Sequence, residues 1–135
     1  MKLGELLQAG DVEETQGNIE RAVAGLAYDS RQVKPGFVFF AVPGTKTDGH
    51  EYIADALARG AAALVVERPI ARPGDAATIR VRNVRRTMGN WAARFYDYPS
   101  RRAKVAGVTG TNGKTTVTYI LESIFRAAGM APGVV

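Results

Sequence analysis

Cysteine is absent from this 135-residue sequence, and so is any long hydrophobic run. Without cysteine the chain cannot form a disulfide framework or a thiolate metal site, and its composition suits a reducing compartment. Residues 1–5 lack the apolar segment of a signal peptide. No apolar stretch approaches the roughly 20 residues needed to span a bilayer. We therefore expect a soluble cytoplasmic protein with no membrane partner.

Acidic residues are scarce in one segment, where the positive charge of the chain is concentrated. The whole sequence carries a net charge of +5, but residues 80–104 hold a single acid, Asp97. Their basic residues are Arg80, Arg82, Arg85, Arg86, Arg94, Arg101, Arg102 and Lys104. Such a segment can be a solvated helix face, or it can attract nucleic acid or a phosphorylated small molecule. Because no RNA-recognition or helix-turn-helix signature accompanies it, we expect no nucleic-acid partner.

Apolar segments of strand type alternate with amphipathic segments through the first 98 residues. Strands are predicted at residues 23–28, 37–42, 61–66 and 78–81, and helices at residues 3–9, at residues 51–59 and after Asn83. Loops are predicted at residues 11–22, 43–50 and 69–75. The helix after Asn83, its predicted N-cap, carries an apolar stripe made of Val84, Met88, Trp91 and Phe95. This alternation predicts an α/β fold.

A glycine-rich segment at residues 107–116 reads Gly-Val-Thr-Gly-Thr-Asn-Gly-Lys-Thr-Thr, between an apolar run and an amphipathic pattern. Strand, turn and helix in this order are the setting of a nucleotide-phosphate loop. There Lys114 can reach the β- and γ-phosphates, and the Thr115 hydroxyl can ligate Mg²⁺. Val108 stands where the strict pattern has a glycine, and an ordinary glycine-rich turn is the alternative interpretation. We predict ATP and Mg²⁺ as cofactors.

Pro99 and Ser100 interrupt the helical pattern and predict a domain junction. We assign residues 1–98 to one domain and residues 99–135 to the start of a second. The second is predicted to contain a strand at residues 105–108, the glycine-rich turn, a helix at residues 117–128 and the start of a strand at residues 133–135. One strand and one helix cannot bury their apolar faces alone. We therefore expect the front part of a longer protein.

Two blocks of short motifs stand in a fixed order along the chain. The first comprises Asp29-Ser30-Arg31, Pro35-Gly36, Phe39, Ala41, Gly44, Asp48-Gly49 and Tyr52. The second is Tyr98-Pro99-Ser100 followed by Thr-Gly-Thr-Asn-Gly-Lys-Thr-Thr at residues 109–116. Together the blocks resemble the Mur ligase family, the ATP-dependent amino-acid ligases of peptidoglycan precursor synthesis. Within that family the sequence is most similar to the ligases that add the third residue of the peptide.

The resemblance implies a small UDP-sugar-binding α/β domain, followed by the first strand, P-loop and helix of a P-loop ATPase domain. Tyr28 and Ser30 would contact the uridine of UDP-MurNAc, and Thr45, Lys46 and Thr47 would line its nucleotide and pyrophosphate. ATP would be bound by Gly110, Thr111, Asn112, Gly113, Lys114, Thr115 and Thr116, with Lys114 as the catalytic residue and Mg²⁺ on Thr115. The family often has His-Gln where Thr45-Lys46 stand here, and a polar surface turn is the alternative.

The implied reaction adds a diamino acid, meso-diaminopimelate or L-lysine, to UDP-MurNAc-L-Ala-D-Glu through an acyl phosphate. The enzyme is expected to be a monomer. The diamino-acid site is expected to lie outside this chain, so residues 1–135 alone should bind UDP-MurNAc without catalysing ligation. Three alternatives are a sister ligase that adds D-Ala-D-Ala to UDP-MurNAc-tripeptide, a non-catalytic UDP-sugar-binding module and a nucleic-acid-binding ATPase. His50, the single histidine, is interpreted as a surface or helix-start residue.

Overall fold

The computed structural model describes residues 1–45, 47–71 and 74–135, and within them the chain forms two compact units. The first unit is Met1–Pro99 and the second is Ser100–Val135. The helices and strands of the first unit are α1 (Leu3–Leu7), β1 (Val12–Gln16), β2 (Gly25–Ala27), β3 (Phe37–Phe40), α2 (Ile53–Ala58), β4 (Ala63–Val66), β5 (Ala77–Val81) and α3 (Val84–Phe95). Short 3₁₀ helices lie at Ser30–Gln32, Gly49–Tyr52 and Pro99–Arg101.

The five strands form one sheet in the order β1-β5-β4-β3-β2. Strands β2 to β5 are parallel to their neighbours, and β1 pairs antiparallel with β5 at the edge. The predicted α/β fold is confirmed, as are the four predicted strands, although the first three are two or three residues shorter than predicted and β5 is one residue longer. Because β2 to β5 are parallel, their carboxyl ends all lie along the same edge of the sheet.

The prediction of a loop throughout residues 11–22 is wrong, because Val12–Gln16 form strand β1. Four of the five residues of this strand are exposed and polar, so the sequence gives no alternation of apolar and polar positions. The strand exists because its backbone pairs with β5, and because Arg80 of β5 binds the carboxylates of Glu13 and Glu14. Arg80 is separated from Glu14 and Glu13 by 66 and 67 positions in the sequence.

Apolar side chains of the sheet alternate between two hydrophobic clusters, one on each face. Val38 and Phe40 of β3 point to the cluster that includes α1 and α3, whereas Phe39 points to the cluster that includes α2. Strand β4 divides in the same way. Because both faces are covered, β3 and β4 are continuously apolar, as the strands of buried parallel sheets usually are.

Helix α3 begins where the sequence predicts. The Asn83 side chain accepts a hydrogen bond from the Arg86 N–H at 2.8 Å, which confirms Asn83 as the N-cap. Glu67, which follows β4, accepts a second hydrogen bond from the Val84 N–H at 2.8 Å. The predicted stripe is also confirmed, since Val84 and Trp91 are fully buried and Met88 and Phe95 pack against the same cluster. Two caps therefore fix the start of α3 at the carboxyl edge of the sheet.

The second unit contains one helix, α4, at Lys114–Ala127. Residues 100–135 are all described, and none of them is in a strand, so the strands predicted at residues 105–108 and 133–135 are wrong for this chain. A strand needs a neighbour to satisfy its backbone N–H and C=O groups, and this unit provides none. In the parts of the chain that the structure describes, no helix has the length and apolar character to cross a bilayer.

Candidate functional site

Two segments predicted to bind UDP-MurNAc lie at the carboxyl edge of the sheet. Tyr28 and Ser30 directly follow β2, and Thr45 and Thr47 follow β3. Strands β2 and β3 are paired neighbours with Ala27 opposite Phe39, so the fold brings the two segments to adjacent positions. In open α/β sheets ligands bind outside the carboxyl ends of the strands. Lys46, the fifth predicted contact, lies outside the described residues.

The segment after β2 is held in shape by its own side chains. Asp29 caps the 3₁₀ helix Ser30–Gln32 by accepting a hydrogen bond from the Arg31 N–H at 3.0 Å. The Arg31 guanidinium binds the same carboxylate at 2.7 Å and holds the pKa of Asp29 below its usual value. This turn leaves the Tyr28 ring 69% exposed, so the ring is free to stack on a planar ligand group.

Ser30 is buried rather than open to a ligand, because only 5% of its surface is exposed. The Ser30 hydroxyl hydrogen-bonds Asp55 of α2, and with Arg59 it lowers the pKa of that carboxyl. The structure therefore places Tyr28 at the surface and Ser30 beneath it. The uridine contact predicted for Ser30 stays a prediction. It would have to be made by the Ser30 backbone, or by a hydroxyl that also hydrogen-bonds Asp55.

The loop after β3 is a tight turn that depends on glycine at two positions. A Cβ atom on Gly44 would lie 2.4 Å from the Thr47 carbonyl oxygen, and one on Gly49 would lie 2.5 Å from the Val42 nitrogen. Both distances are far shorter than atoms tolerate, so only glycine allows this path. The turn leaves Thr45 and Thr47 exposed, with their hydroxyls available to a ligand.

Asp48 lies at the end of the loop and interacts with three groups, two of His50 and one of Arg68. Its carboxylate accepts hydrogen bonds from the His50 N–H at 3.0 Å and from the His50 ring Nδ1 at 2.7 Å, and it pairs with Arg68. These bonds to His50 are the main reason that the pKa of Asp48 is lowered. His50 lies in the 3₁₀ helix Gly49–Tyr52, which confirms its interpretation as a helix-start residue, but its side chain is only 10% exposed.

We predict that Asp48→Ala lowers the free energy of unfolding at pH 7, because a turn cap and the His50 ring partner are lost. The folded-state pKa of Asp48 lies below its unfolded value of about 3.9. Its contribution is therefore present above that value and disappears as the pH falls through the lowered pKa. Urea unfolding of both proteins at pH 7, 5 and 3 checks this, since the difference should shrink towards pH 3.

Glu51→Ala is the control for this prediction. It removes an exposed carboxylate from the same turn, and the Glu51 side chain has no hydrogen-bond partner among the described residues. We expect its effect to stay within about 0.5 kcal/mol at every pH. A loss for Asp48→Ala that is unchanged at pH 3 would contradict the assignment to the ionised carboxylate.

Within the first unit, the described arginines of the basic segment at residues 80–104 contact different parts of the fold and do not form one positive surface. Arg80 and Arg82 pair with Glu13, and Arg86 approaches Asp11 at 3.7 Å. Arg85 differs, because its Nη2 donates to the Pro43 carbonyl oxygen at 2.9 Å. Arg68 and Arg85 thus both contact the loop after β3. Sequence reasoning missed this role, since neither residue stands near the loop in sequence and no motif marks it.

The glycine-rich loop directly precedes α4 in the second unit, and two of its glycines have positive φ angles. Gly110 and Gly113 have φ angles of +152° and +74°, which favour glycine. Gly113 is the N-cap of α4 and offers no side-chain hydrogen bond, so the first N–H groups of the helix face outward unpaired. The Lys114 Nζ donates to the Gly110 carbonyl oxygen at 2.7 Å, so this side chain lies across the loop. Together these groups can receive an anion.

The predicted phosphate-loop residues therefore come together in one exposed turn. Thr111, Asn112, Thr115 and Thr116 are all exposed there. Among the described residues, no cluster of three or more His, Asp or Glu side chains could hold a metal ion. Thr115 would thus be the single protein ligand of the metal ion, through its hydroxyl oxygen. One protein ligand with phosphate oxygens and waters is a usual way of binding Mg²⁺.

A groove of about 730 Å³ lies at the opposite edge of the sheet. Small residues line most of it, among them Gly36, Gly60 and Ala62, with Arg21 and Asp75. None of the predicted site residues that the structure describes borders it. The groove is wide because small side chains meet there, and it lies at the amino ends of the parallel strands, where α/β sheets rarely bind ligands.

Comparison with known proteins gives one consistent result. The family model described as "Mur ligase family, catalytic domain" matches residues 22–96, which is more than half of the chain but excludes the glycine-rich loop. UDP-N-acetylmuramoyl-L-alanyl-D-glutamate–2,6-diaminopimelate ligase of Geobacter sulfurreducens is 43% identical over 99% of this chain. The chain spans 26% of that relative's length.

Solved structures show the same similarity at lower identity. UDP-N-acetylmuramoylalanyl-D-glutamyl-2,6-diaminopimelate–D-alanyl-D-alanyl ligase from Acinetobacter baumannii is 28% identical and superposes with a TM-score of 0.72 over 93% of this chain and 28% of its own. The MurF ligase from Thermotoga maritima, solved in complex with ADP, is 29% identical with a TM-score of 0.59 over 79% of this chain and 24% of its own.

Proposed function

The chain belongs to the Mur ligase family, and we propose that it is the N-terminal portion of an ATP-dependent ligase of peptidoglycan precursor synthesis. The ligase would add a diamino acid to UDP-MurNAc-L-Ala-D-Glu. The observation that carries this proposal is the 43% identity to a diaminopimelate ligase over 99% of the chain, which includes both the sheet domain and the glycine-rich loop. We further propose a monomer that works in the cytoplasm, where ATP and UDP-sugars occur.

Residues 1–98 would bind UDP-MurNAc at the carboxyl edge of the sheet. The exposed Tyr28 ring offers a stacking surface for uracil. The exposed hydroxyls of Thr45 and Thr47 can hydrogen-bond ribose or phosphate oxygens, and Lys46 would add a positive charge. These three kinds of group match the three chemical parts of a UDP-sugar head.

Residues 110–116 would bind the phosphates of ATP, which supplies the phosphoryl group that activates the substrate carboxylate. The outward N–H groups at the start of α4 fit this anion, and Lys114 would turn from the Gly110 carbonyl to neutralise charge on the phosphates. Thr115 would hold Mg²⁺ through its hydroxyl. The amine of the incoming diamino acid would then displace phosphate, with its own site outside this chain.

Calorimetric titration of the 135-residue chain with UDP-MurNAc tests the first site. We expect saturable binding, and Thr47→Val should weaken it by about tenfold because one hydrogen bond to the ligand is lost. Thr15→Val is the matched control, since Thr15 is an exposed threonine on β1, away from the carboxyl edge. Its affinity should equal that of the unmodified chain.

Three outcomes of this titration would contradict the proposal. The first is the absence of heat at millimolar UDP-MurNAc, and the second is equal weakening by the Thr15 and Thr47 variants. The third is displacement of UDP-MurNAc by ATP, since the two ligands are assigned to different segments.

The sister ligases that add D-Ala-D-Ala are the second candidate function. The similarity to the D-alanyl-D-alanyl ligase structure from Acinetobacter baumannii favours it, but the identity of 28% is well below the 43% found for the diaminopimelate ligase. Assaying the full-length ligase that carries this segment with UDP-MurNAc-dipeptide and with UDP-MurNAc-tripeptide separates them. Turnover of only the tripeptide would overturn the proposal in favour of the sister activity.

A further inference from the structure

Arg85 is the second residue of α3, yet its guanidinium reaches the loop that follows β3. Its Nη2 donates a hydrogen bond of 2.9 Å to the carbonyl oxygen of Pro43, which lies 42 residues earlier in the chain. The start of α3 is fixed by the Asn83 and Glu67 caps, so the base of the Arg85 side chain has little freedom. This contact therefore ties the entrance of the loop to a rigid helix end.

Four other arginines of the basic segment have different partners. Arg80, Arg82 and Arg86 are near carboxylates of residues 11–14, and Arg94 contacts Gln8. Arg85, by contrast, has no carboxylate within ion-pair distance among the described residues. A guanidinium that hydrogen-bonds a single main-chain carbonyl group contributes little to the stability of the fold through its charge. Its placement is instead explained by what it does to the loop.

The other end of the same loop is held in a similar way. Arg68, which follows β4, pairs with Asp48 at the exit of the loop. Thr45 and Thr47 lie between the two held ends, and both are exposed. Because two adjacent connections at the carboxyl edge each supply one arginine, both ends of the loop are held from outside the loop itself.

We propose that Arg85 is a positioning residue for UDP-sugar binding, because it fixes the entrance of the loop that presents Thr45 and Thr47. This proposal rests on the proposed function of that loop. Pre-ordering the loop lowers the conformational entropy that is lost when the ligand binds. Losing the contact should therefore weaken binding even where the fold is unchanged.

The test compares Arg85→Ala with Arg86→Ala in the 135-residue chain. Both remove one exposed arginine from the first turn of α3, but Arg86 contacts Asp11 and not the loop. We expect the dissociation constant for UDP-MurNAc to rise by about tenfold in the Arg85 variant and by less than about twofold in the control. Both variants should keep the melting temperature of the parent chain to within about 2 °C.

Amide hydrogen exchange of Gly49, measured by NMR without ligand, is the second readout, because its N–H donates to the Val42 carbonyl oxygen at 3.0 Å and so joins the two ends of the loop. Exchange should accelerate in Arg85→Ala only, and this measurement does not depend on the identity of the ligand. If the parent chain fails to bind UDP-MurNAc but the exchange pattern is as expected, the proposed function fails and the loop anchor stands. Unchanged exchange in Arg85→Ala, or equal weakening by the two variants, would overturn the positioning role.

Arg85→Gln is a second variant for the case in which alanine destabilises α3. Glutamine is a good helix former, but its amide ends two atoms short of the arginine Nη2 and cannot reach Pro43 in the same way. We expect it to weaken binding and to accelerate loop exchange as Arg85→Ala does. Parent-like affinity and parent-like exchange in this variant would also overturn the proposal.

Discussion

Under the proposed function, Lys114→Ala is expected to lower the turnover of a ligase that contains this chain by at least about a hundredfold. The loop supplies backbone N–H groups for the phosphates, but Lys114 is the one positively charged side chain between residues 105 and 125. Alanine leaves the backbone path intact, because the positive φ angles belong to Gly110 and Gly113. The loss therefore reports the missing charge.

Steady-state kinetics and UDP-MurNAc titration of the same protein check this prediction together. UDP-MurNAc affinity should stay within about twofold, because its contacts are assigned to the carboxyl edge of the sheet. Arg126→Ala on α4 is the control, since Arg126 pairs with Glu122 at the far end of the helix. Equal loss of turnover and of UDP-MurNAc affinity in Lys114→Ala would contradict two separate sites.

Trp91→Ala is expected to lower the free energy of unfolding of the first unit by about 3–5 kcal/mol. The Trp91 side chain is fully buried, and its ring meets that of Phe40 edge-on at a centroid distance of 5.8 Å. Gly10 also packs against the indole, because a Cβ there would lie 2.8 Å from Nε1. Alanine would leave a cavity in the larger cluster, among α1, α3 and the sheet. A loss of this size approaches the whole stability of many small domains.

Urea unfolding of three variants separates burial from other effects. Trp91→Phe should cost only about 1–2 kcal/mol, because the aromatic contact is kept and the indole Nε1 has no hydrogen-bond partner among the described residues. Tyr96→Ala removes a ring that is 62% exposed and should cost below about 1 kcal/mol. An unfolding free energy for Trp91→Ala within 1 kcal/mol of the parent would contradict the role of Trp91 in the core.

Predictions from the sequence succeeded where the signal was local and complete. Asn83 marks the start of α3, and the apolar stripe from Val84 to Phe95 has the period of a helix. Both signals lie within 13 residues, and the helix forms as predicted. The same reasoning failed at residues 105–108, where the pattern was right for a strand but residues 100–135, all of them described, provide no strand to pair with it. Periodicity states what a segment can form, and its partners decide whether it forms.

The candidate site divides in the same way. Tyr28, Thr45 and Thr47 could be predicted because motifs mark them, and parallel strands bring them to one edge. Their roles as ligand contacts stay predictions. The Arg85 and Arg68 contacts could not be predicted, because each joins segments 20 or more residues apart and no motif records the pairing.

By itself, the sequence determined the α/β alternation, the apolar stripe of α3 and the glycine-rich turn, since each depends on residue types within about a dozen positions. Only the tertiary structure decided that the polar residues 12–16 form an edge strand and that Glu13 of this strand pairs with Arg80 and Arg82. It also decided that Arg85 anchors a distant loop. Backbone pairing and side-chain ion pairs across the fold have no local signature, because their partners meet only after the chain has folded.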